Sequence, residues 1–137
     1  MIGLVLVTHG RLAAEFLAAV EHVVGPQPQA RAICIDVDDD IERRRAEIVQ
    51  AVREVDSGQG VVILTDMFGG TPANLGVTFL EPNRVEVITG VNLPMLIKLA
   101  RLQASADLLS IAREMREHGR NAIWVASDLL RGEKSGS

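Results

Sequence analysis

The strongest constraint on the fold of this chain is a regular alternation of short β-rich runs with longer segments of helical spacing. Five runs have strand character and lie at residues 2–7, 32–36, 61–65, 85–89 and 122–125. Strands that alternate with amphipathic segments are typical of α/β folds, in which helices cover a mainly parallel sheet. The sequence therefore predicts a doubly wound α/β fold.

Helix ends can be placed from local signals. The first helix carries an apolar stripe and should end at Gly25 and Pro26. The stripe comprises Leu12, Phe16, Val20, Val23 and Val24. A second helix is predicted from about 41 to 55, with acidic residues at its positive end. Further helices are predicted at about 72–80, 94–103 and 106–118, the last stopped by Gly119.

Composition limits the classes of function. A chain of 137 residues that is 47% hydrophobic fits one domain, predicted over 1–130, followed by a flexible tail at 131–137. A net charge of −4 with 3% aromatic residues argues against nucleic-acid binding. The apolar opening run is about one strand long and lacks a basic leader, so we expect a cytoplasmic protein with no membrane insertion. Cys34 is interpreted as a small buried hydrophobe.

The residues with the clearest chemistry follow the predicted strands. Ligands of doubly wound sheets bind at the carboxyl ends of the strands. His9 follows the first strand and Asp66 the third, so the two side chains face each other if these strands are neighbours. A histidine whose one ring nitrogen donates to a carboxylate keeps the other free as a nucleophile. We predict His9 as a phosphoryl nucleophile and Asp66 as its orienting group.

A bound phosphoryl group also needs hydrogen-bond donors. Thr71 is suited to the N-cap position of the following helix and Pro72 to its first residue, while Gly69 and Gly70 let backbone N–H groups approach an anion. Gly10 begins a second set of amides near His9. Each residue alone has a simpler interpretation as part of a loop or cap, but together at one sheet edge they favour a site.

The sequence gives little support for a metal site or a nucleotide-binding site. Three scattered histidines and one cysteine do not form a ligand set, and no phosphate loop or dinucleotide-binding glycine motif is present. Acidic residues at 36, 38, 40 and 47 have an EF-hand-like spacing, but Ile41 stands where such a loop requires glycine. We therefore expect neither a metal nor a cofactor.

Three motifs in order carry a resemblance to a known family. They are Thr8-His9-Gly10, the segment 66–74 with Phe68-Gly69-Gly70-Thr71-Pro72, and the segment 90–96. Over about residues 1–125 the chain resembles the enzyme IIA component of mannose-family sugar phosphotransferase systems. The resemblance implies that His9 accepts a phosphoryl group from HPr on Nε2 and donates it to an enzyme IIB, with phosphoenolpyruvate as the ultimate donor. It also implies that Asp66 accepts from Nδ1–H and that Thr71 contacts the phosphoryl oxygens.

The same resemblance implies an assembly. Family members have four parallel strands and a fifth antiparallel strand that is exchanged between the subunits of a homodimer. Here that strand would be 122–125, with Trp124 as an interface residue or, alternatively, an ordinary core anchor. The resemblance is also consistent with association with a membrane permease complex. We predict a docking surface for the two partner proteins at Phe68, Asn92, Leu93 and Met95, although Leu93 and Met95 could instead begin a helix and face the core.

Three other functional classes share part of this pattern. Histidine phosphatases also carry His-Gly after the first strand, but they need an arginine where Thr8 stands and a longer chain. A receiver domain would need an acidic pair after the first strand, which is missing here. A carrier that only regulates other proteins, or one that feeds a dihydroxyacetone kinase, would share the His9 chemistry, and the sequence leaves transport and regulation open.

Overall fold

The computed structural model describes residues 1–102 and 107–132, and its centre is a four-stranded parallel sheet. The strands are β1 (Gly3–His9), β2 (Ala30–Ile35), β3 (Val61–Thr65) and β4 (Val85–Thr89). Their spatial order is β2-β1-β3-β4, and every adjacent pair is parallel. The predicted α/β class and parallel sheet are confirmed. Because β1 and β3 are neighbours, the residues that follow them meet at one edge of the sheet.

Six helices complete the described part of the chain. They are α1 (Leu12–Val24), α2 (Ile41–Val55), α3 (Thr71–Val77), α4 (Leu93–Arg101), α5 (Leu108–Asn121) and α6 (Ala126–Leu130). The bounds predicted for α1 and α2 are confirmed, and Asp40 caps α2 by accepting from the N–H of Arg43. Residues 103 and 106, at the ends of two predicted helices, lie outside the described residues.

Gly119 does not stop α5, contrary to the prediction, because the helix continues to Asn121. A Cβ at Gly119 would lie 2.8 Å from Cε of Met95 and 3.2 Å from Oδ1 of Asn92. Such distances are shorter than normal van der Waals contact. The glycine therefore allows a close approach of α5 to the start of α4, and a larger residue would make the side chains of Met95 and Asn92 shift.

Two hydrophobic cores lie on opposite faces of the sheet. Side chains such as Leu6 and Leu64 pack under α1, α4 and α5, whereas Val7 and Ile63 pack under α2 and α3. The central strands β1 and β3 are buried except at His9, whereas the edge strands β2 and β4 are partly exposed, as expected for a parallel sheet with helices on both faces. Half-exposed Cys34 packs against the first core from the edge strand β2.

The predicted apolar stripe of α1 is only partly correct. Ala13 and Val20 are buried, and Phe16 packs against the core, but Leu12 is 47% and Val23 is 51% exposed. The buried face of α1 is centred on Ala13 and Val20, so Leu12 and Val23 lie at its edges. Leu12 is thereby left at the surface within the first turn of α1, three residues after His9.

The fifth strand predicted at 122–125 does not form within this chain. These residues follow α5 as a turn and an irregular segment, and none pairs with the sheet. Ile123 is 66%, Trp124 41% and Val125 65% exposed, so Trp124 is not a core anchor here. The predicted tail begins with a turn at 131–132, and its remainder lies outside the described residues. None of the helices in the described ranges is long and apolar enough to cross a membrane.

Candidate functional site

His9 and Asp66 meet at the carboxyl end of the sheet, as the sequence predicts. Nδ1 of His9 lies 2.8 Å from Oδ2 of Asp66, and the backbone N–H of His9 donates to the same oxygen over 3.1 Å. The side chain of Asp66 is 13% exposed and that of His9 46% exposed. The carboxylate thus binds both the ring and the backbone of His9, and Nε2 is the nitrogen left available for chemistry.

Gly70 lies against the Nε2 side of the ring. A Cβ at Gly70 would be 2.6 Å from Cε1 and 2.9 Å from Nε2 of His9. The backbone of Gly70 is extended, with φ −98° and ψ 173°, a conformation that any residue can adopt. Glycine is needed here because of the neighbouring ring. By contrast, Gly69 has a left-handed φ of +92° and open space where a Cβ would point.

The start of α3 differs by one residue from the prediction. Gly70, not Thr71, occupies the N-cap position, and no side chain caps the helix. The first bond of the helix runs from the N–H of Asn74 to the carbonyl of Gly70, which places Thr71 and Pro72 both within the first turn. Thr71 is exposed and lines the same cavity as His9. The hydroxyl of Thr71 therefore does not cap α3.

Next to His9 is an open cavity of about 460 Å³. One wall is formed by His9, Gly10 and Thr71, and the other by the loop between β2 and α2, here called the β2–α2 loop (residues 36–40). The loop is acidic, and its one apolar residue, Val37, is 91% exposed. Among the residues that the structure describes, no lysine or arginine lines the cavity. The charged side chains in its lining, apart from His9, are therefore acidic.

The β2–α2 loop is held in one conformation by Asp39. Its carboxylate accepts from the backbone N–H groups of Asp36 and Asp40, at 3.0 and 2.8 Å, and from Nε of Arg44 at 2.9 Å. These hydrogen bonds, above all that from Arg44, hold the pKa of Asp39 below its ordinary value of 3.8. Asp38 takes a left-handed φ of 60° inside the loop. The conformation of the β2–α2 loop is thus stabilised by Asp39, which belongs to none of the three sequence motifs described above.

The pKa of Asp39 leads to a pH-dependent stability. Because this pKa is lower in the folded than in the unfolded chain, the stabilisation is fully present above the ordinary pKa of 3.8 and is lost as the pH falls through the folded value. We expect Asp39→Asn to be less stable than the wild type at about pH 7 and to approach it at about pH 2 in urea unfolding. A stability difference that stays constant across this range would contradict the assignment. Asp128→Asn, which removes an exposed pair with Arg131, is the control.

Gly10 turns the chain from β1 into α1. Its φ of +53° is left-handed, which explains the glycine. Its N–H donates to the carbonyl of Ile35 at 2.8 Å, so the amide predicted to contact a phosphoryl group is engaged with β2. Gly10 still lines the cavity. Arg11 takes the N-cap position of α1 without a side-chain capping bond.

The residues predicted for partner docking divide into two groups. Phe68 is 81% exposed beside the site, and partly buried Leu93 lines a shallow apolar groove with Leu12 and Phe16 of α1. Met95 is 4% exposed and belongs to the core, as the alternative interpretation held. Asn92 is also structural: its Oδ1 accepts from the N–H of Met95 and its Nδ2 donates to the carbonyl of Gly119. Met95 is therefore excluded from a docking surface, whereas docking by exposed Phe68 and by partly buried Asn92 and Leu93 stays a prediction.

Asn92 should matter for stability. Replacing it with alanine removes the N-cap of α4 and leaves the carbonyl of Gly119 with only the long bond of 3.4 Å from the N–H of Ala122. The expected loss is about 2 kcal/mol in the free energy of unfolding, since a lost cap and a lost hydrogen bond each cost about 1 kcal/mol. Urea unfolding measures it, with Gln50→Ala on the exposed face of α2 as the control. Equal stability of Asn92→Ala and wild type would refute the structural role.

The chain is similar in sequence to known proteins. The family model described as PTS system fructose IIA component matches residues 3–115. The chain is 24% identical over 136 residues to the PTS system fructose-specific EIIA component of Bacillus subtilis, which covers 98% of this chain and 93% of that protein. It is 32% identical over 111 residues to the PTS system sorbose-specific EIIA component of Lacticaseibacillus casei, covering 80% and 78%.

Solved structures show the same fold. The PTS IIA protein associated with the fucose utilization operon from Streptococcus pneumoniae aligns with a TM-score of 0.81 and 28% identity, covering 93% of this chain and 95% of that one. The mannose/sorbose specific IIA subunit from Enterococcus faecalis aligns with a TM-score of 0.77 and 26% identity, covering 90% and 93%.

Proposed function

Because the chain belongs to the enzyme IIA family of sugar phosphotransferase systems, we propose that it carries a phosphoryl group on Nε2 of His9, received from HPr and passed to an enzyme IIB. The observation that carries the proposal is the bond of 2.8 Å between Nδ1 of His9 and Asp66. This hydrogen bond occupies Nδ1 of His9, so Nε2 is the nitrogen that can bind phosphorus. Family membership supports a role in sugar phosphotransfer, and the site supplies the atoms that would perform it.

The transfer step is a displacement at phosphorus. The lone pair on Nε2 of His9 attacks the phosphorus of the donor's phosphohistidine, the donor's P–N bond breaks, and a new P–Nε2 bond forms. Positive charge develops on the His9 ring, and the carboxylate of Asp66 stabilises it through the Nδ1–H hydrogen bond. The proton stays on Nδ1 throughout. Transfer to the acceptor reverses these events.

Groups around the cavity would position the phosphoryl group without trapping it. Gly70 brings backbone close to Nε2, and the exposed Thr71 lines the same cavity. The carboxylates of Asp36 and Asp38 lie on the opposite wall. Since like charges repel, these carboxylates disfavour a long-lived phosphorylated state and favour passing the group on. A phosphoryl carrier must position the group well enough to receive it and bind it weakly enough to release it.

Partner docking and assembly are part of the proposal. Exposed Phe68 and the groove at Leu93 offer apolar contacts beside His9 for both HPr and the enzyme IIB, as a transient interface requires. The exposed segment 122–125 would pair with the free edge of β4 in a second subunit, giving a homodimer. The cycle would operate in the cytoplasm, where the enzyme IIB links this protein to a membrane permease complex.

Intact-mass analysis tests the proposal. After incubation with phosphoenolpyruvate, enzyme I and HPr, the wild type should gain one acid-labile phosphoryl group and His9→Ala none. His22→Ala and His118→Ala change the other two histidines, which lie in the last turns of α1 and α5, and should be phosphorylated normally. An unmodified wild type, or a phosphorylated His9→Ala, would reject the assignment.

A further inference from the structure

Thr8, the residue before His9, makes an unusual contact for a strand residue. It is fully buried, and its Oγ1 accepts from the backbone N–H of Ala13 over 2.6 Å. Ala13 is itself fully buried in the first turn of α1. The bond reaches across His9 and Gly10, so the side chain of Thr8 closes the turn that presents the nucleophile.

The hydrogen bond to Thr8 satisfies a backbone N–H at the start of α1. The first backbone N–H groups of a helix have no partner within it, and a serine, threonine, aspartate or asparagine at the N-cap usually supplies one. Arg11 stands at the N-cap of α1 and makes no such bond. Thr8 supplies the missing acceptor from the strand. The cap of α1 and the nucleophile are therefore adjacent residues.

We propose that Thr8 is a positioning residue for His9, an inference that rests on the proposed function of His9 as the phosphoryl carrier. Three bonds fix the turn: Thr8 to Ala13, the N–H of Gly10 to the carbonyl of Ile35 at 2.8 Å, and the N–H of His9 to Asp66 at 3.1 Å. The left-handed φ of +53° at Gly10 makes the turn one that few sequences adopt unaided. Without the hydroxyl of Thr8, the N–H of Ala13 loses this acceptor and the α1 side of the turn is held less firmly.

The consequence concerns the ring of His9. Its Nδ1 must reach Asp66 while Nε2 lies beside Gly70, and these two contacts leave little freedom for the backbone that carries the ring. Loosening the turn reduces the fraction of molecules that satisfy both at once. The rate of phosphorylation at saturating donor then falls, whereas the KM for the donor, which depends on the docking surface, does not change.

Two substitutions separate the hydroxyl from packing. Thr8→Val keeps the shape and removes the acceptor; Thr8→Ser keeps the acceptor and removes a methyl group. We expect Thr8→Val to lower the phosphorylation rate at saturating phospho-HPr by up to about fivefold, because losing one cap shifts the equilibrium between the ordered and the loosened turn by about that factor. Thr8→Ser should restore the rate. The NMR signal of the His9 Nδ1–H should weaken in Thr8→Val and return in Thr8→Ser.

Asp107→Ala is the matched control, because Asp107 caps α5 through the N–H of Ser110, away from His9. It should lower stability to a similar extent and leave both the rate and the Nδ1–H signal unchanged. Should Thr8→Val fail to fold, Thr8→Ala removes the same hydroxyl without a branched side chain. A folded variant without the hydroxyl that keeps the wild-type rate and signal would overturn the proposal, as would failure of Thr8→Ser to restore them. Since the signal is read without any donor, it decides on Thr8 even if the wild type were not phosphorylated.

Discussion

Gly70→Ala is expected to slow phosphorylation of His9 by about 100-fold while leaving the fold intact. The added methyl group would lie 2.6 Å from Cε1 and 2.9 Å from Nε2, so the ring must move. Displacing a reacting atom by about 1 Å can cost a factor of about 100 in rate. The extended backbone of Gly70 accepts alanine without strain, which confines the damage to the ring.

Single-turnover phosphorylation by phospho-HPr measures this effect, and urea unfolding shows whether the fold survives. Gly58→Ala is the control: its φ of +96° makes alanine strained, yet nothing lies within 4 Å of the new methyl group and the site is remote. It should lose about 1 kcal/mol of stability and keep the wild-type rate. A normal rate in Gly70→Ala would mean that the ring of His9 does not need its observed position.

Asp66→Asn is expected to slow phosphorylation by about 10-fold to 100-fold, the usual cost of losing a carboxylate that orients a functional histidine. The amide is neutral, so it no longer stabilises positive charge on the ring, and the tautomer of His9 is no longer dictated by a carboxylate. The backbone N–H of His9 also loses its charged acceptor. The chain should remain folded, because Asp66 is a loop residue outside both cores.

The control for Asp66 is a second carboxylate at the same cavity. Asp36 lines the cavity, but its carboxylate makes no hydrogen bond to His9. If the hydrogen bond matters, Asp36→Asn should not slow phosphorylation of His9, because removing a negative charge from the cavity does not oppose the incoming phosphoryl group. Equal slowing in both variants would show instead that the summed negative charge of the cavity, and no particular bond, governs the reaction.

The sequence was sufficient to predict the centre of the site. His9 and Asp66 each follow an apolar run with clear strand character, and the ends of neighbouring parallel strands meet at one edge of the sheet. The bounds of α1 and α2 were also predictable, because glycine, proline and aspartate mark their ends. The resemblance to enzyme IIA components, carried by the same motifs, is confirmed by the family match.

The errors concern residues whose role depends on distant contacts. Gly119 looked like a helix stop, but it makes room for Met95 of α4. The structural role of Asn92, which joins α4 to α5, depends likewise on a contact that is distant in the sequence. The hydrogen bond between Asp39 and Arg44 is not evident from the sequence, because the acidic run indicates only favourable charge before a helix or an EF-hand-like spacing. An aspartate directly before the N-cap, with arginine five residues later, is the signal that could have revealed it.

The central claim is that Asp66 commits Nδ1 of His9 and leaves Nε2 to carry the phosphoryl group. NMR of the phosphorylated protein labelled with ¹⁵N in its histidines identifies the modified nitrogen directly, since phosphorus couples to the nitrogen that it is bound to. The account predicts a phosphorus coupling at Nε2 of His9, with Nδ1 still protonated and bonded to Asp66. Phosphorus on Nδ1, or on no histidine at all, would contradict it.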